Sequence, residues 1–237
     1  MKRMVAIVLA LPLAATALAA PAEPGGKRTP KEALKPLHDL IGSWRGTGVP
    51  EGTREQKQRG FWVETIKWQW QFKGDDAWLK ADFEKGKHFQ GAELRYLPDR
   101  DRYQMTVKTA GGESLVFIGE LKDRVLTLDR ADDRKKETQR LVVTLLHGNR
   151  YLYRWETRPA GRVVFTKHYQ VGATKEGVPF ATGDNKPECI VSGGLGTMPV
   201  MYKGQTYYVC CSGCRDAFKE DPEKYVKEYE AKRKKGK

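Results

Sequence analysis

Ile66-Lys67-Trp68-Gln69-Trp70-Gln71-Phe72-Lys73 alternates strictly between large apolar and polar side chains. In an extended chain successive side chains point to opposite faces, so this stretch has one apolar and one solvated face and reads as a half-buried strand. Similar runs follow at 77–84, 89–97, 102–108, 114–121, 124–129, 139–146, 150–158 and 162–171. Turn-forming clusters separate them: Gly74-Asp75-Asp76, Pro98-Asp99-Arg100-Asp101, Gly111-Gly112, Gly148-Asn149 and Pro159-Ala160-Gly161. Eight to ten sequential antiparallel strands predict an up-and-down barrel, because closing the sheet removes its exposed edges. A two-sheet sandwich is the alternative.

Toward the N-terminus, Thr29-Pro30 supplies an N-cap and a proline suited to the first helical position. A short helix through Leu40 is predicted, bent at Pro36, behind a Pro/Gly-rich leader at 22–28. The chain begins Met1-Lys2-Arg3-Met4, followed by an apolar run at 5–15 and an Ala-x-Ala site at 17–19. That order is a signal peptide, cleaved after Ala19, so the protein is expected to be exported to the periplasm or beyond. An uncleaved anchor is the competing reading. Pro12 interrupts a run already short for a membrane span, so no span is expected in the mature chain.

Hydrophobic residues make up 39% of 237 positions, enough for a packed core. Formal charge is +13, falling to +11 once Lys2 and Arg3 leave with the signal. The basic residues are dispersed, with a dense run only at 232–237, and an exported protein rarely meets nucleic acid. A solvated surface attracted to anionic envelope polymers is expected, with no nucleic-acid partner. The predicted organisation is signal 1–19, leader and short helix 20–36, barrel 37–171, linker 172–186, cysteine module 187–232 and basic tail 233–237. The barrel is expected to fold without the module.

Gly42-Ser43-Trp44-Arg45-Gly46-Thr47-Gly48 resembles the Gly-x-Trp-x-Gly-x-Gly element of nitrobindin-like calycin barrels, and residues 37–171 are similar to a lipocalin-like family. The resemblance implies that Trp44 plugs the closed end of the barrel while Gly42 and Gly46 let the backbone turn tightly against it. It also implies haem held by a late-barrel histidine, for which His168 is the candidate. Alternation instead groups His168 with Arg162, Val164, Thr166 and Gln170, the more polar face, so a surface or hydrogen-bonded histidine is the competing reading. Trp62, Trp68, Trp70, Trp78 and Trp155 could line a pocket or simply fill the barrel.

All four cysteines, Cys189, Cys210, Cys211 and Cys214, lie near the C-terminus. A segment this short buries too little apolar surface to stand alone, so a metal or disulfides would supplement its core. Val200 to Tyr202 and Gln205 to Val209 flank Lys203-Gly204 as a hairpin that returns Cys210 toward Cys189. A helix beginning after Cys211 places Cys214 one turn from Cys210, so three thiolates can converge, as soft or borderline metals require.

The hairpin ending at Tyr207-Tyr208-Val209-Cys210, then Cys214-Arg215-Asp216-Ala217-Phe218, then Asp221-Pro222-Glu223-Lys224-Tyr225, resembles the YHS/TRASH treble-clef family. That resemblance implies binding of heavy-metal ions such as copper or zinc, in metal sensing, trafficking and resistance. Its register makes Cys189, Cys210 and Cys214 the ligands and Cys211 an auxiliary thiol. The sequence departs at Cys189-Ile190-Val191-Ser192, where many members have Cys-Pro-x-Cys. Three sulfurs and an open position suit Cu(I) or labile Zn(II).

The predicted fold class is therefore mainly β, an up-and-down lipocalin-like barrel followed by a small α+β treble-clef-like cysteine module. Two disulfides, Cys189 with Cys210 or Cys211 and Cys214 with the other, remain an alternative in an oxidising compartment. So does a redox pair at Cys211-Ser212-Gly213-Cys214, although it lacks a thioredoxin-like βαβ context. No catalytic constellation stands out. The leading function is metal binding without catalysis, with a metal ion and a donor or acceptor protein as partners. The second is a haem- or small-molecule-binding barrel with a structural module, and the third is a thiol-disulfide enzyme.

Overall fold

A computed structural model describes residues 28–177 and 187–235. Ten strands form one closed antiparallel barrel: β1 (Gly42–Pro50), β2 (Trp62–Lys73), β3 (Asp76–Glu84), β4 (Phe89–Leu97), β5 (Arg102–Thr109), β6 (Ser114–Lys122), β7 (Val125–Asp132), β8 (Glu137–His147), β9 (Arg150–Pro159) and β10 (Thr166–Lys175). Each pairs with its neighbours in sequence, and β1 closes the sheet against β10. The barrel expected from alternation is present and the sandwich is not. Along β2, Trp62, Glu64, Ile66, Trp68 and Trp70 point inward and are buried, while Lys67 is exposed on the outer face.

The last strand corrects the expected boundaries. It starts at Thr166, four residues later than predicted, and continues to Lys175, so 172–175 are barrel rather than linker. A register break between Lys167 and Tyr169 shifts the alternation, and Tyr169, Val171 and Ala173 are the buried residues. Residues 1–19 and 178–186 lie outside the described residues, so the signal peptide and most of the linker do too.

Two helical segments surround the barrel ends. Thr29 caps α1 (Pro30–Leu34) with a reciprocal bond to Glu32, and a 3₁₀ turn follows over Lys35–Leu40. Leu34, Leu37 and Leu40 are fully buried across one end of the barrel. At the opposite end, α2 (Arg54–Gly60) interrupts the β1–β2 connection, and no residue of it is buried. It went unforeseen although Thr53 and Gln56 form a capping box.

Trp44 plugs the covered end. Its indole nitrogen donates to Leu40 O at 2.7 Å, and its ring meets Tyr151 edge-on at 4.7 Å. Gly42 has φ +125°, where a side chain would be strained. Gly46 acts otherwise than expected. It sits within a regular strand, and a Cβ there would come within 3.0 Å of Glu64 Cγ. At Gly48 a Cβ would fall inside the Trp62 ring. The missing side chains make room in the lumen for two large inward residues. Glu64 is held there by Trp62 Nε1 at 2.9 Å and Tyr153 Oη at 2.5 Å.

The C-terminal module comprises a hairpin of β11 (Met198–Tyr202) and β12 (Gln205–Val209), then α3 (Ser212–Glu220) and α4 (Pro222–Lys235). The expected tail from 233 is thus helical as far as Lys235. No helix among the described residues is long and apolar enough to cross a membrane.

Candidate metal centre

The hairpin turns through Lys203 and Gly204, both at positive φ, the backbone that matches the twist of a two-residue hairpin. It carries Val209 and Cys210 back beside the knuckle at 188–196. There Cys189 bridges to Tyr208, and Ile190 N donates to Tyr208 O at 2.8 Å. Gly193 N donates to Cys189 O at 2.8 Å, which closes the knuckle on itself. Cys211 then caps α3, and Cys214 lies on its first turn.

These elements bring together the three cysteines named by the sequence. The sulfurs of Cys189, Cys210 and Cys214 all lie within 4.8 Å of one another. Cys214 is 0% and Cys189 1% exposed, while Cys210 is half-buried. Three thiolates around one ion at ~2.3 Å stand roughly 4 Å apart, and the cluster brackets that spacing, with Cys210 and Cys214 sulfurs 3.4 Å apart and every pair within 4.8 Å. Ser192 Oγ lies 3.4 Å from Cys210 Sγ. Ser192 N donates to Cys189 Sγ at 3.5 Å.

Cys211 touches the cluster and also reaches the barrel. Its sulfur accepts the backbone N–H of Trp70 at 3.4 Å and lies 3.9 Å from Cys210 Sγ. β2 outruns β1 here, since their pairing ends at Gly42 opposite Trp68, so the Trp70 amide lacks a partner from β1. Cys211 supplies one. Ser212 Oγ donates to Gln69 Oε1 at 2.8 Å, and Gly213 packs directly on the Trp70 carbonyl.

The four cysteines are free thiols, and they share protons. Hydrogen bonding from Cys210 lowers the Cys189 pKa and brings Cys211 down to about 3. The same hydrogen bond to Cys189 pushes Cys210 up, and burial pushes Cys214 up. Hydrogen-bonded cysteines of this kind can give up their protons to a cation that binds their sulfurs. The segment before α3 is an antiparallel hairpin, so the parallel βαβ setting of a redox Cys-x-x-Cys is absent among the described residues.

The module and the barrel share one core. Cys189, Ile190, Val191, Val209 and Phe218 are continuous with Leu34, Trp44 and Trp70. His38 wedges between them: Trp70 Nε1 donates to its Nδ1 at 3.5 Å, and its ring occupies the space of a side chain at Gly194. This junction was missed. The signal was Gly213 in the first turn of a helix, where glycine is costly unless backbone must approach closely.

His168 is exposed, at the strand irregularity on the barrel rim, and its Nε2 is 2.7 Å from Thr157 Oγ1. It lines the mouth of the barrel rather than pointing down the lumen as an unpaired ligand.

Residues 198–229 match the YHS domain family. The C-terminal module is of YHS type, and the match covers the hairpin, Cys210, Cys214 and most of α4. No curated protein matches the chain. Among solved structures, Rv2717c from M. tuberculosis is 15% identical with a TM-score of 0.38, covering 61% of this chain and 97% of its own. The S-type phycobiliprotein lyase CPES from Guillardia theta is 10% identical with a TM-score of 0.35, covering 62% of this chain and 94% of its own.

Proposed function

We propose that this is an exported heavy-metal-binding protein that holds Cu(I) or Zn(II) on Cys189, Cys210 and Cys214, for metal trafficking, sensing or resistance. The convergence of three largely buried sulfurs supports it most, because soft thiolates select these ions. A hydroxyl in place of a fourth sulfur, and the half-buried Cys210, leave a side from which a metal-donor or acceptor protein can exchange the ion. Export rests on the signal-like residues 1–19.

Metal loading tests the reading. The chain beginning at Ala20, purified under reducing conditions, should bind Cu(I) or Zn(II) stoichiometrically. Serine at Cys189, Cys210 or Cys214 should remove binding and several kcal/mol of metal-coupled stability, given ~10–16 kcal/mol for structural zinc in small domains. Cys211→Ser should retain the metal. Loss on Cys211→Ser with retention on Cys210→Ser would overturn the ligand set, and a wild type that binds neither ion would overturn the function.

A second reading is carried by the open cup at the barrel mouth, about 1000 Å³, lined by Phe89, Leu115, Trp155 and Tyr169. It suits a small amphipathic molecule. Haem fits less well, because His168 is already paired to Thr157.

A further inference from the structure

Successive side chains on an extended chain point to opposite faces, yet the sulfurs of Cys210 and Cys211 stand only 3.9 Å from each other. Cys210 is the hub of the cysteines. Its sulfur lies 3.4 Å from Cys214 Sγ, 3.9 Å from Cys211 Sγ and within 4.8 Å of Cys189 Sγ, and it is the one of the three ligands that solvent reaches. Cys189, Cys210 and Cys214 are the only three ligating side chains that converge among the described residues, so Cys211 stands beside their cluster without completing it.

Two sulfurs that share an ion at ~2.3 Å are roughly 4 Å apart when a third ligand is present, and about 4.6 Å apart when the ion lies on the line between them. The Cys210–Cys211 pair already has the shorter spacing. A thiolate has more than one lone pair and can bridge two soft ions, so Cys210 need not release a first ion to hold a second. Cys211 is fixed for this by the barrel: the Trp70 amide proton approaches its sulfur at 3.4 Å, which sets where the sulfur points and leaves its other lone pairs for an ion. That contact alone does not call for sulfur, since a serine oxygen would accept from the same amide. No imidazole or carboxylate joins the pair to make another group of three. Zn(II) takes four donors, whereas soft, monovalent Cu(I) is satisfied by two or three thiolates.

We propose that this protein binds a second Cu(I), held between Cys211 and a bridging Cys210, so that its four cysteines form a two-copper thiolate cluster. A Cu–S bond forms at each of the two sulfurs, any proton on Cys211 passes to water, and no electron is transferred. The proposal rests on the metal reading above and names Cu(I), rather than Zn(II), as the ion for which the fourth cysteine is placed.

Copper counting tests it. The chain beginning at Ala20, reduced and kept free of oxygen, is titrated with Cu(I) carried by a chromogenic chelator, and bound copper is measured against protein. Wild type should take up two Cu(I). Cys211→Ser should take up one, with an unchanged circular dichroism spectrum, and the retained ion shows that the three-cysteine site is intact. Thiolate-bridged copper shielded from water is luminescent, so emission should rise with the second equivalent in wild type and stay absent from the variant. Zn(II) should not exceed one per chain in either form. A wild type that stops at one Cu(I) overturns the second site and leaves the metal reading standing. A Cys211→Ser variant that takes two Cu(I), or none, overturns the division of roles between the cysteines, and a second Zn(II) in wild type overturns the choice of ion. A wild type that binds neither metal overturns both readings.

Discussion

The two ends of the barrel are made of the same material, strand connections, and are finished in opposite ways. At one end Leu34, Leu37 and Leu40 lie across the opening, Trp44 fills it from within, and the cysteine module packs behind. At the other, the connections stand in solvent, α2 buries no residue, and the lumen opens into a cup. Burial concentrates stability where contacts are dense and leaves the sparse end free to change. Mutational sensitivity should therefore be lopsided: large at the closed end, graded at the junction with the module, small at the mouth.

Trp44→Ala should produce the largest loss. The ring is buried, donates to Leu40 and contacts Tyr151, so its removal leaves a cavity at the base of the barrel and deletes a satisfied hydrogen bond. About 3–5 kcal/mol is expected, read as a lower midpoint in urea unfolding. Val163→Ala at the mouth, measured alongside, should change stability by under about 0.5 kcal/mol. Equal losses at the two positions would end the comparison.

Gly213→Ala probes the junction, where two effects oppose. Alanine is the better helix former by about 1 kcal/mol. Its Cβ would however come within 1.7 Å of the Trp70 carbonyl, a backbone atom that cannot swing aside. Overpacking costs about 1–3 kcal/mol and should win. The expected result is net destabilisation, with α3 lifted from β2 and the Trp70 indole moved toward water, seen as a red shift in tryptophan emission. A stabilised variant would mean that the module rests loosely on the barrel, as two independent folding units would require.

The barrel was legible because its signal is local. Period-two alternation is clear in strands such as β2 and β5, and the Gly-Trp element marks the closed end. β10 begins just ahead of an irregularity between Lys167 and Tyr169, which alternation cannot register, and its end was placed too early because Gly172, which pairs with Thr47 inside the strand, reads as a linker residue. In the candidate site, Cys189, Cys210 and Cys214 converge as their spacing and family register implied. What remained hidden was the junction: the Cys211–Trp70 contact spans 141 residues, and His38 meets Gly194 only because the knuckle folds beneath the 3₁₀ turn. Such contacts depend on how two completed units dock, and no periodicity encodes that.

The smallest effect expected is a pH dependence belonging to the junction. His38 accepts the Trp70 indole N–H on Nδ1, so in the folded protein the ring is neutral with its proton on Nε2. Burial lowers its pKa below the ordinary 6.5, with the nearby Lys175 acting in the same direction and Cys189 opposing. The unfolded chain therefore binds a proton at pH values where the folded protein does not. Stability contributed by neutral His38 is fully present above pH 6.5 and is lost as pH falls from there toward the lowered folded value. His38→Gln keeps an acceptor for the indole but cannot titrate. Urea unfolding at about pH 7.5 and about pH 5.5 should show a smaller acid-side loss in the variant than in wild type. His88, at the mouth, is also held below its ordinary value by burial, and Lys87 adds to that shift, but its ring stacks on Tyr169 and makes no hydrogen bond among the described residues that protonation would break. If His88→Gln flattens the acid-side loss and His38→Gln does not, the pH-sensitive element lies at the mouth and the closed end is the inert one.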